Sequence, residues 1–262
     1  MAKLSEHQSS KYVKLLYIGD SGSAKTGSLV SLVKAGYKLR ILDLDNGLSA
    51  LFQYAKLQCP DKMDNVDFET RRDKFKASAL GPILDGAAKA YIDSSTLMTK
   101  WTDGTAPMSW GEDTIFVLDS LTALGQAAFN WAKSMNPGAK EPRQWYFTAQ
   151  QSVETIISML TSETFKTNLI IISHVQFQEL PDGTTKGYAT SIGKALGSTI
   201  PKYFDIMVLA QTQGSGKNVK RTINTLPTSM IDLKNPVPFK LDQTLPLETG
   251  LATLFEKLKE KS

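Results

Sequence analysis

A lysine followed by a threonine, closing a loop rich in glycine and serine, can bind phosphate. Residues Gly19 to Thr26 read GDSGSAKT. The apolar run Tyr12 to Ile18 precedes them, and apolar residues at helical spacing follow through Gly27 to Ala35. Strand, Gly-rich turn, Lys-Thr and helix is the order a phosphate-binding P-loop needs. The backbone N–H groups of Gly19, Asp20, Ser21, Gly22, Ser23, Ala24, Lys25, Thr26 and Gly27 would surround a nucleotide's phosphates, with the helix N-terminus behind them. Lys25 would reach the β- and γ-phosphates, and the Thr26 hydroxyl would serve Mg²⁺. One position departs from G-x-x-x-x-G-K-T: Ala24 stands where the pattern has glycine. Its methyl group resists positive φ, so a distorted loop or a lower affinity is expected. An ordinary Gly/Ser turn before a helix is the bland reading, and the residues downstream count against it.

Polar groups end three more apolar runs. Asp119 closes Thr114-Ile115-Phe116-Val117-Leu118, the place of an acid that helps hold Mg²⁺ beside a P-loop. An Asp there can also be merely a helix cap, a role that suits Ser120 better. Asp43 and Asp45 end Leu39-Arg40-Ile41-Leu42. Two residues apart on a strand, they would share one face. Asp45, nearer the end, is the better candidate to accept a proton from an attacking water, against the alternative of a solvated Asp-Asn-Gly turn. His174 and Gln176 follow Asn168 to Ser173. Either could sense a γ-phosphate; a hydrogen-bonded core histidine and a solvated amide are the plain readings.

These residues need a scaffold. Short apolar runs without alternation suit strands buried on both faces of a parallel sheet, and helical patterns separate them. The expected fold is α/β, a doubly wound and mostly parallel sheet. Strands at Val219–Leu226 and Ser229–Leu233 would add a C-terminal antiparallel extension. Ligands of such sheets lie at the strand C-termini, where Gly19, Asp45, Asp119 and His174 all fall. Residues 1–262 read as one domain with an irregular insertion at about 58–110, holding helices near 47–58 and 69–92. Residues Ser134 to Arg143 read as a polar loop, and 176–202 as a mobile Gly-, Thr- and Lys-rich segment. Gly214-Ser215-Gly216-Lys217 lacks a following Ser or Thr and reads as a hairpin turn.

Bulk properties narrow the classes. The net charge of +4 is mild and does not by itself announce nucleic acid. The single cysteine, Cys59, excludes an internal disulfide and fits a reducing cytoplasm. Two histidines and one cysteine make a structural zinc site improbable. No apolar run reaches the roughly 18–20 residues of a membrane span, and residues 1–12 carry no apolar signal core.

Taken in order, GDSGSAKT, ILDLDNGLSAL, TIFVLDSLTAL and NLIIISHVQ resemble the RecA-like ATPase core over residues 12–235. The pattern is most similar to small phage RecA-like single-strand annealing ATPases. That resemblance implies ATP and Mg²⁺ as cofactors, held by the P-loop, Thr26 and Asp119. It places the catalytic carboxylate on Asp45, where the family usually has Glu, and the γ-phosphate sensor on His174 or Gln176. It puts single-stranded DNA contacts in two loops, one at 134–145 with Lys140 and Arg143, the other at 177–200 with Lys186 and Lys194. It implies a ring or filament of identical subunits, a possible single-strand-binding protein partner, and a cytoplasmic setting, the host's if phage-encoded. A helicase-like DNA motor and an ATP-dependent assembly switch with little turnover are the competing functions.

Overall fold

The computed structural model describes residues 11–79, 81–139, 141–214 and 216–260. The run before the phosphate loop is β1 (Lys14–Gly19), every residue of it buried. The loop opens α1 (Lys25–Ser28), and α2 (Val30–Lys34) follows across Leu29. β2 (Lys38–Asp43) and α3 (Ser49–Gln58) come next. Then follow β3 (Val66–Thr70), a small hairpin of β4 (Phe75–Lys76) and β5 (Ile83–Leu84), and α4 (Ala90–Thr99). β6 (Gly111–Asp119), α5 (Leu121–Met135), α6 (Pro142–Thr161) and β7 (Thr167–Ser173) form the apolar centre. A second hairpin, β8 (Val175–Glu179) with β9 (Thr185–Ala189), leads to α7 (Gly193–Thr199) and β10 (Ile206–Gln213). β11 (Lys220–Asn224), β12 (Thr244–Pro246) and α8 (Leu247–Lys259) end the chain.

Eight strands form one sheet in the order β12-β11-β10-β1-β7-β6-β2-β3. From β10 to β3 every pairing is parallel, and β11 and β12 add antiparallel at the other edge. β7 and β6 therefore lie between β1 and β2, and the chain crosses over to place them. Apolar side chains of the strands alternate between two cores. Leu16, Ile18, Phe116 and Ile171 pack with α4, α5 and α6. Leu15, Tyr17, Val117 and Ile172 pack with α2, α3 and α8. Helices on both faces of a mostly parallel sheet make the doubly wound α/β fold. Among the described residues, no helix is long and apolar enough to cross a membrane.

Several expectations need correction. The helix expected at 69–92 begins only at Ala90: residues 66–70 extend the main sheet as β3, and the β4–β5 hairpin follows. β3 reads Val-Asp-Phe-Glu-Thr and lies at the sheet edge with Phe68 exposed, so it lacks the buried-strand pattern. β2 stops at Asp43, leaving Asp45 in the turn beyond it. The loop at 134–143 is shorter than expected, because α5 runs to Met135 and α6 begins at Pro142, which suits a helix's first position. The segment at 176–202 holds the β8–β9 hairpin and α7. Residues 229–233 form no strand; one isolated bridge joins Lys234 to Met207.

Candidate active site

Four strand ends meet at one edge of the sheet. Gly19, Asp43, Asp119 and Ser173 are the last residues of β1, β2, β6 and β7. A cavity of about 530 Å³ opens above them. Ser21, Gly22, Ala24, Lys25, Thr26 and Gly27 form its floor, and Asp45, Asp119, His174 and Arg221 stand around it.

The loop's backbone explains its composition. Gly22 has φ 78°, and Ala24 is left-handed at φ 63°, ψ 31°. The position before Lys25 does demand positive φ, and this chain holds an alanine there at a strain of about 1 kcal/mol or more. Gly19 admits no side chain: a Cβ would lie 2.6 Å from the Ala210 carbonyl oxygen and 2.8 Å from Ser23 Oγ. Ser23 Oγ in turn donates to the Asp20 carbonyl at 2.7 Å. Gly27 is confined by Tyr54 of α3, whose Cε2 would be 2.7 Å from a Cβ.

Lys25 is buried, and its Nζ donates to the carbonyls of Gly19 at 2.8 Å and Asp20 at 2.9 Å. Burial pulls its pKa down, against the raising effect of Asp119, Asp20 and Asp45. Thr26 Oγ1 donates to Asp119 Oδ2 at 2.6 Å. Asp119 is 2% exposed. Burial raises its pKa from the ordinary 3.8 to about 6, the Asp45 and Asp43 charges adding to the rise while the Thr26 hydroxyl and Lys25 oppose it. Its neighbour Ser120 caps α5 by accepting the Ala123 N–H at 3.2 Å.

The two acids after β2 divide their roles. Asp43 is buried, and its Oδ1 accepts the N–H groups of Asp45 at 3.1 Å, Asn46 at 2.7 Å and Gly47 at 3.3 Å. Its Oδ2 accepts from Thr70 Oγ1 at 3.2 Å. Asp43 is thus spent on folding the turn, in which Asn46 takes φ 58°. Asp45 is exposed to the cavity. The Leu44 N–H donates to the Asp119 carbonyl at 2.6 Å, tying this turn to the end of β6.

His174 lines the cavity, half-buried, and burial and Lys25 lower its pKa against the pull of Asp45 and Asp20. The imidazole is therefore neutral at pH 7. Gln176 lies on β8, exposed and away from the cavity lining, so it is not brought to this site.

The expected DNA contacts that fall on described residues lie on α6, β9 and α7. Lys140 lies outside the described residues. Arg143 sits in the first turn of α6 instead of a loop. Lys186 lies on β9 and pairs with Asp232 at 2.8 Å. Lys194 falls on α7. Arg221, on β11, also enters this cavity. The pairing of β10 with both β1 and β11 brings it there, Ala210 facing Gly19 and Thr212 facing Arg221. Tyr54 was missed because nothing in its local pattern separates it from a packing residue.

Thr26 and Asp119 present converging oxygens, the donor type Mg²⁺ takes, and a cation would relieve the buried Asp119 charge. Among the described residues, no group of three or more His, Cys, Asp or Glu side chains could enclose a metal. A cation here would draw its other ligands from phosphate and water, as suits Mg²⁺. The donor set fits.

No curated protein matches this chain. Among solved structures, a KaiC-like protein from Pyrococcus horikoshii OT3 is similar at 9% identity, covering 83% of this chain and 79% of that one, with a TM-score of 0.42. The flagellar accessory protein FlaH from Methanocaldococcus jannaschii is similar at 10% identity, covering 92% of this chain and 88% of that one, with a TM-score of 0.43. Residues 11–237 match the family described as AAA domain. With that match over most of its length, the chain belongs to the AAA domain family.

Proposed function

We propose that this protein hydrolyses ATP with Mg²⁺ and uses the cycle to bind single-stranded DNA and promote annealing or strand pairing. The convergence of Lys25, Thr26, Asp119, Asp45 and His174 on one cavity carries the ATPase reading. Lys25 would leave the Gly19 and Asp20 carbonyls for the β- and γ-phosphates. Thr26 and Asp119 would hold Mg²⁺, which supplies charge neutralisation to the phosphates when bound. Asp45 would orient water and accept its proton as the water oxygen bonds to the γ-phosphorus. The bond to the β–γ bridging oxygen breaks, and ADP leaves with its electrons. His174, as a neutral imidazole, would donate a hydrogen bond to the γ-phosphate.

The hairpin after β7 is the part suited to respond. His174 N–H donates to Thr122 Oγ1 at 3.2 Å, Thr122 Oγ1 donates to the Thr190 carbonyl at 2.9 Å, and Thr190 N–H donates to the His174 carbonyl at 2.8 Å. Both roots of the β8–β9 hairpin are thereby fastened at the candidate sensor. A shift of His174 on loss of the γ-phosphate would reach both strands. The hairpin also exposes Phe177, 46% accessible, a surface on which a base can stack. A ring or filament of identical subunits belongs to this reading.

The test is Mg²⁺-dependent ATP turnover by the purified protein, with and without a thymidine oligonucleotide. Turnover stimulated by the oligonucleotide and abolished by Lys25→Ala is expected. ATP binding with neither turnover nor a DNA response would replace this reading with an assembly switch.

A further inference from the structure

A second cleft, of about 380 Å³, adjoins the ATP cavity and shares Asp45 with it. Arg71, Arg72 and Asp73, which follow β3, and Phe75 at the start of β4 form one wall and α5 the other. Most polar groups there are already engaged. Arg71 pairs with Glu69 at 2.8 Å. Asp73 accepts the Ala90 N–H at 3.0 Å and Asn130 Nδ2 at 2.9 Å, which pins the wall to α5. Gln126 donates to Asn130 at 3.1 Å.

Three groups are left over. Arg72 is exposed and has no hydrogen-bond or ionic partner among the described residues. Ser191 Oγ is buried with no partner. Phe75 is 58% exposed at the mouth. A free guanidinium and an orphaned hydroxyl suit a phosphate, and an exposed ring suits a base. Together they match one nucleotide unit. The surroundings decide between a free nucleotide and a polymer. Of the basic side chains in residues 71–89, Arg71 pairs with Glu69 and Lys76 with Asp85 at 3.3 Å, which leaves Arg72, Lys74 and Lys89 without an ionic partner among the described residues. Charge spread along an exposed hairpin attracts a chain of phosphates more than a single one.

We infer that this cleft, walled by Arg72 and Phe75, binds the backbone and a base of single-stranded nucleic acid. The inference rests on the proposed DNA function and gives residues 58–110 a part in it. The location also supplies coupling. Asp45 lies on the wall common to both cavities, and Ser191 follows Thr190, which is bonded to Thr122, Ser173 and His174. Occupation of the cleft would press on the attacking-water residue and on the hairpin root together.

The full chain with Mg²⁺ and a non-hydrolysable ATP analogue would be titrated onto a fluorescent thymidine oligonucleotide at several salt concentrations. Phe75→Ala should weaken binding by about fivefold or more, and Phe75→Trp should restore it. Arg72→Ala should reduce the slope of log affinity against log salt by about 0.7, and Arg72→Lys should keep it. Binding of a fluorescent ATP analogue should be unchanged in all four variants. Wild-type DNA binding that every variant retains would overturn the cleft while leaving the DNA function standing. Failure of the wild type to bind the oligonucleotide at any salt would overturn both. Equal affinity for thymidine monophosphate and the oligonucleotide would replace the polymer with a free nucleotide.

Discussion

Asp119→Asn should make the nucleotide-free protein more stable while removing its response to Mg²⁺ and ATP. Asp119 is 2% exposed, and its pKa is raised from 3.8 to about 6, chiefly by burial. The native state therefore binds more protons than the unfolded chain between those values, and stability falls as pH rises through that window. A difference of about 2 units at 1.36 kcal/mol each is about 3 kcal/mol, an upper figure for the ionised carboxylate's cost above pH 6. Asparagine keeps an acceptor for the Thr26 hydroxyl and carries no charge. Urea unfolding of both proteins without nucleotide should show the variant ahead by up to about 3 kcal/mol at pH 7.5. The advantage should shrink as pH falls from 6 toward 4. Adding Mg²⁺ and ATP should raise the wild type's midpoint and leave the variant's nearly unmoved. A variant no more stable than wild type at pH 7.5, or one with a pH-independent advantage, would refute the reasoning.

Ala24→Gly relieves a left-handed alanine, less the entropy glycine adds to the unfolded chain, and should stabilise by on the order of 0.5–1 kcal/mol; an unchanged thermal midpoint would sink that account. Asp43→Ala strips the acceptor from three turn N–H groups and should cost about 2–4 kcal/mol and lower turnover by displacing Asp45; full activity with normal stability would show that the turn holds itself. Lys14 donates to the Phe165 carbonyl at 2.6 Å and the Thr167 carbonyl at 2.8 Å, and burial lowers its pKa from 10.5 to about 7. The unfolded chain binds the extra proton between those values, so wild-type stability should rise with pH across that range. Lys14→Met should flatten the rise in urea midpoints from pH 7 to 9, and parallel curves for the two proteins would contradict it.

How much of this was legible depended on where each residue's partners lie. β1, β6 and β7 are buried on both faces, so their own composition marks them, and the polar residue ending each run marks the site. Asp119 and His174 stand out that way, and Lys25 and Thr26 by the loop pattern that follows β1; all four line one cavity. β3 was lost because an edge strand needs no apolar face to join a sheet, and Phe68 is left exposed on it. The choice between Asp43 and Asp45 could not be made from spacing. Two residues apart, they would share a strand face, and only the turn bonding to Asp43 shows that the strand ends between them. The position of Arg221 depends on two strand pairings that span most of the chain, Gly19 with Ala210 and Thr212 with Arg221. Ala24 is the instructive middle case. Its departure from the P-loop pattern is visible in the sequence and predicts a distorted loop or a lower affinity; the backbone overturns the distortion, because the position keeps the left-handed conformation and the alanine bears the strain. A loop that holds this shape against its own side chain is held by its neighbours, through the Ser23 and Lys25 bonds to Asp20 and the contact of Gly19 with β10. The candidate phosphate site therefore depends on β10, and through β10 on the antiparallel extension that brings Arg221 into the same cavity.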